Sequence, residues 1–61
     1  MNSHQKKRHC DLLLEAMVGK ALILQWWNTP NKAFAGRHPA NVDIDAVHSY
    51  LLNHAYNGDY H

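Results

Sequence analysis

Between Leu12 and Trp27 nearly every position is apolar, and Asp11, Glu15 and Gln25 share one narrow stripe of a helical wheel. That spacing predicts a long apolar helix from Asp11 to Trp27, with Asp11 as its N-cap or first-turn acid. The helix is expected to end near Asn28, because Thr29 precedes Pro30 and residues before proline avoid the α region. Gly19 complicates the span. A mid-helix glycine costs about 1 kcal/mol relative to alanine, so Gly19-Lys20 is an alternative breakpoint between two shorter helices. Val18 and Leu22 lie on the otherwise polar stripe, so the helix is either buried on most sides or presents apolar surface to another chain. Leu14, Val18 and Leu22 are accordingly expected at an oligomer interface.

A connector follows from Asn28 to Asn41, in which Pro30, Asn31, Gly36 and Pro39 carry the turn chemistry. Asn31 is placed to cap a single helical turn through Ala35, with Gly36 stopping it in a left-handed conformation and Phe34 pinning it to the core. The last helix is expected from Asp43 or Asp45 to Asn57, with Gly58 as its stop. Ile44, Val47, Leu51 and Ala55 recur at helical spacing and give it one apolar face, beyond which Tyr50 and Leu52 extend. The fold class is therefore small all-α. The organisation expected is a flexible basic tail over 1–10 and a helical domain over 11–61.

With 61 residues the chain buries only about 60% of its unfolded surface, and such a core needs support. The sole cysteine, Cys10, precludes an internal disulfide and fits a reducing, cytoplasmic setting. Six histidines raise the question of zinc, yet their spacing is poor: His48 and His54 stand about 240° apart around a helix. No metal or other cofactor is expected, which leaves self-association or a partner protein. Net charge is only +1, and Lys6, Lys7 and Arg8 form a compact basic cluster that is a weak nucleic-acid signal beside the reading of a solvated tail. Glu15, Lys20 and Gln25 interrupt the longest apolar stretch, so neither a membrane span nor a signal peptide is expected. Catalysis is not expected either. Cys10, the serines, the carboxylates and the histidines show no triad, and the three glycines are too dispersed to cradle a phosphate.

The run Trp26-Trp27-Asn28-Thr29-Pro30-Asn31-Lys32-Ala33-Phe34-Ala35-Gly36-Arg37-His38-Pro39 resembles the signature of the toxin-binding domain of Xre/MbcA/ParS-type antitoxins. In that family a tryptophan-leucine pair precedes a Thr-Pro-Asn turn, an alanine-leucine step, glycine-arginine and a proline. Trp26, Thr29, Pro30, Asn31, Ala33, Gly36, Arg37 and Pro39 match it, and Trp27 and Phe34 stand where the family has leucines. Val47, Leu51 and Gly58 fit the family's final helix more loosely. Two departures stand beside these matches: there is no room for the helix-turn-helix DNA-binding domain that usually precedes this one, and the segment after Pro39 is shorter.

The resemblance implies a non-enzymatic module that binds a RES-type toxin, an enzyme that consumes nicotinamide dinucleotide, and inhibits it by occlusion. A freestanding copy from a phage or mobile element, directed at another bacterial enzyme, is an equal expectation. The residue types of interface hot spots then single out Trp27, Tyr50, Tyr56 and Tyr60 as aromatic anchors, with Arg37 and His61 as polar contacts. Trp26 is expected in the core, and Arg37 has the alternative of capping connector carbonyls. A homodimer through the first helix completes this view. The competing expectations are a self-assembling structural homo-oligomer and a small nucleic-acid-binding accessory protein.

Overall fold

The first helix starts well before the apolar pattern does. In the computed structural model, which describes residues 1–57, α1 spans Ser3–Val18. Asn2 caps it: its side-chain oxygen accepts from the Gln5 backbone N–H at 2.8 Å, and Gln5 Oε1 accepts from the Asn2 backbone N–H at 3.0 Å. This reciprocal capping box satisfies two of the donors that a helix start leaves open. The expected flexible tail over 1–10 is thus corrected to two ordered helical turns, and Asp11 lies mid-helix instead of at its cap. The physical reason is lateral support. Lys6 and His9 are half-buried and Cys10 is buried, so the polar segment has a face of its own against the rest of the protein.

Gly19 ends α1 with φ +91° and ψ 151°, a conformation that side chains rarely adopt, and its N–H donates to the Glu15 carbonyl at 3.2 Å. The breakpoint at Gly19-Lys20 is the one the fold uses. A 3₁₀ turn over Lys20–Leu22 leads into the short α2, Ile23–Trp27. Thr29 Oγ1 and Asn28 Nδ2 donate back to the Gln25 and Leu24 carbonyls at 2.6 and 2.9 Å, which closes α2 before Pro30.

The connector is built around Asn31. Its Oδ1 accepts from the Ala33 N–H at 2.9 Å and caps a 3₁₀ turn over Lys32–Phe34. Its carbonyl accepts from the N–H groups of Phe34 and Gly36, and its own N–H donates to the Arg37 carbonyl at 3.1 Å. The expected left-handed stop is two residues long, since Ala35 (φ 58°) precedes Gly36 (φ 80°) in that region. A last 3₁₀ turn over Pro39–Asn41, with buried Pro39 at its start, delivers the chain to α3, Ile44–Asn57.

The buried core is Cys10 and Leu14 from α1, Trp27 from α2, and Val47 and Leu51 from α3. The α1 and α3 contributions are both i,i+4 pairs, one turn apart on a single helix face. Two polar ties accompany them, Lys6 to Asp45 and His9 to His48, each spanning 39 residues. A step of three residues along α1 is matched by a step of three in the same direction along α3, so the helices run in the same sense along this contact. Helices packed in the same sense need a long crossover. The bend at Gly19, α2 and the connector together supply it.

Candidate protein-interaction surface

The bend at Gly19 decides which tryptophan enters the core. Trp27 is 5% exposed, and its Nε1–H donates to Asp11 Oδ1 at 2.8 Å. The Lys7 ammonium reaches the same carboxylate at 3.2–3.3 Å and stands 4.6 Å from the Trp27 ring centroid. Trp26 is half-buried and meets Trp27 edge-to-face at 5.3 Å. The expected roles of the two are therefore exchanged: Trp27 is the core residue and Trp26 the one with an accessible edge. Adjacent helix residues point about 100° apart, so only one of them can face the α1–α3 seam.

From Trp26 a chain of edge-to-face contacts crosses to α3. Trp26 meets Phe34 at 6.4 Å, Phe34 meets Tyr50 at 5.1 Å, and Tyr50 meets His54 at 4.5 Å. Trp26, Phe34 and Tyr50 are all half-buried, so the chain fixes the connector against both helices and leaves aromatic edges in solvent. Beside it Val18, Leu22, Gln25, Trp26 and Thr29 line a shallow apolar concavity of about 190 Å³. That volume is below the roughly 300 Å³ at which small-molecule sites begin. It suits one or two side chains of a partner better than a bound metabolite.

The other expected site residues are distributed as follows. Val18 and Leu22 come together in this concavity, and Leu22 is 48% exposed. Leu14 is corrected from an interface to the core, since it is 0% exposed within the single chain. Its burial follows from its position one turn after Cys10 on the face that meets α3. Tyr50 belongs to the aromatic chain and Tyr56 is 68% exposed. Arg37 is exposed, and its guanidinium donates to the Asn41 carbonyl at 3.0 Å, bracing the connector. Pro30, Asn31, Gly36 and Pro39 shape the joint between α2 and α3. Tyr60, His61 and Gly58 lie outside the described residues.

The basic cluster is not a bare patch. Lys6 pairs with Asp45 and Lys7 with Asp11, while Arg8 is exposed and has no side-chain hydrogen bond among the described residues. The hydrogen bond and charge of Lys6 hold the Asp45 carboxyl below its ordinary range. Burial, and then the neighbouring Asp11 carboxylate, push the Cys10 thiol up to about 11, so it stays protonated and poorly nucleophilic at neutral pH.

Two features escape a sequence reading. The tie from Asp11 to Trp27 joins residues on either side of the Gly19 bend, and His9 Nδ1 lies 2.8 Å from His48 Nε2 across the α1–α3 seam. The one available signal was positional: His9 precedes Cys10 and His48 follows Val47, each beside an apolar seam residue. No family model, curated protein or solved structure matches this chain.

Proposed function

We propose that the chain is a small non-enzymatic protein-binding module, antitoxin-like, that binds a bacterial enzyme or toxin and inhibits it by occlusion. The observation that carries this reading is the Trp26–Pro39 run. It resembles the antitoxin signature residue by residue, and it forms one hydrogen-bonded joint beside an accessible aromatic and apolar surface. Trp26, Tyr50 and Tyr56 are the anchors of this reading, because rigid aromatic area concentrates binding energy. Leu22 and Val18 supply the apolar groove next to them, and Arg37 stiffens the joint. A cytoplasmic setting belongs to the same reading, supported by a single unpaired cysteine.

Co-expression with a RES-type toxin in a growth assay tests it directly. The wild-type chain is expected to restore growth and to co-elute with the toxin in size-exclusion chromatography. A Leu22→Ser, Tyr56→Ala variant, altered only at exposed positions, is expected to keep its helical circular dichroism and lose both effects. Toxicity unchanged by the wild-type chain, with no complex formed, removes the RES-type toxin as target.

A second reading, a self-associating homo-oligomer, is favoured by the exposure of Leu12, Leu22 and Leu24 on so small a protein. Sedimentation velocity separates the two, since this reading requires the isolated chain to sediment as more than a monomer.

A further inference from the structure

The α1–α3 seam carries an imidazole pair that the interaction surface does not use. His9 and His48 are half-buried, their ring centroids are 5.0 Å apart at an interplanar angle of 65°, and Nδ1 of one approaches Nε2 of the other to 2.8 Å. At that distance the nitrogens share one proton. A neutral imidazole carries one N–H and one acceptor nitrogen, so the contact holds when both rings are neutral or when one is protonated. With both protonated, neither facing nitrogen retains a lone pair, and two N–H groups and two positive charges oppose each other.

We propose that the His9–His48 contact is an acid-sensitive clasp, which fastens α1 to α3 at neutral pH and turns repulsive when the pair takes up its second proton.

The surroundings favour this direction. On the α1 side Lys6 and the N-terminal amino group bring positive charge to His48, Arg8 lies beside His9 in the same shallow concavity, and among the described residues Asp45 on α3 is the opposing carboxylate that acts on His48. Asp45 is already engaged by Lys6 and titrates well below the histidine range. Loss of solvent, then His9, then Lys6 hold the His48 imidazolium back, against a smaller opposing effect of Asp45. The pair sits against the core, since Cys10 and Val47 are the immediate chain neighbours of His9 and His48. Repulsion there acts on the helix contact that the crossover depends on.

The sign follows from proton counting. In the unfolded chain both histidines protonate near their ordinary pKa of about 6.5, whereas the folded pair accepts its second proton only at lower pH. Between those limits the unfolded state binds more protons, so stability falls as pH drops. The effect is fully absent above the unfolded value and grows as pH falls toward the folded one. Interacting rings titrate as a pair, in two separated steps.

Two measurements on the full chain test the clasp. Melting temperature is followed from pH 7.5 to 5.0 in wild type, His9→Gln, His48→Gln and the double variant. The wild type is expected to lose about 5 °C or more, as a domain this small does for a modest change in stability. Each single variant is expected to lose less than half as much, and the double variant to match the singles. Equal losses in all four, or single effects that add, overturn the proposal. Imidazole NMR of the wild type gives the second test, independent of whether the variants fold. Two coupled, separated steps for His9 and His48 support the clasp. Independent single steps for the pair overturn it.

Discussion

The α1–α3 seam and the Asn28–Asn41 connector are held together by opposite means. The seam is made by side chains: Cys10, Leu14, Val47 and Leu51 are wholly buried, and its polar ties bridge 39 residues of sequence. The connector buries little beyond Pro39 and is held by short-range bonds, four of which involve Asn31 through its N–H, its carbonyl and its side-chain oxygen. One region depends on what it packs against, and the other carries much of its geometry in its own few residues. A small protein of this kind joins a cooperative core to a locally specified joint.

If that contrast is real, damage to the two regions must differ in size. Leu14→Ala removes a fully buried side chain from the seam and is expected to destabilise by about 2–5 kcal/mol. For a domain whose whole stability is of order 0.1 kcal/mol per residue, that is enough to unfold much of the population, which urea titration followed by circular dichroism will show. A loss no larger than that of exposed Leu22→Ala would abolish the distinction. Asp11→Ala is expected to have an intermediate effect, about 1–3 kcal/mol, because it leaves the buried Trp27 indole N–H without its acceptor and Lys7 without its carboxylate. The same experiment on Trp27→Phe sharpens the assignment, since the two changes share one interaction and must not add. Asn31→Ala has the smallest expected effect, about 1 kcal/mol, as the loss of a cap. Hydrogen exchange should place its consequences within the connector, at amides such as Phe34 and Gly36, with the protection of α1 and α3 changed little.

How legible each part was in the sequence follows from the same contrast. The connector's turn was legible because Pro30, Asn31 and Gly36 act through local geometry, and α3 because Ile44, Val47, Leu51 and Ala55 define a single face. The start of α1 was not, since Ser3 to His9 carry no apolar period. Asn2 with Gln5 three residues later was the capping signal that marked it. A helix apolar on nearly all sides offers no unique inner face, so the choice of Cys10 and Leu14 over Leu12 was made by α3. The inversion of Trp26 and Trp27 has a similar origin. Nothing within a few residues of either decides the matter, because the direction of α2 is set at Gly19 and its anchor is Asp11.

The placement of Cys10 has a practical consequence. It is the chain's single thiol, wholly enclosed between α1 and α3 and held in its unreactive protonated form. A thiol reagent can therefore modify the folded protein only when the seam opens, and the labelling rate counts those openings without any introduced probe. Binding of a partner, a change of solvent or a substitution elsewhere would each be registered as a faster or slower clock at this one sulfur.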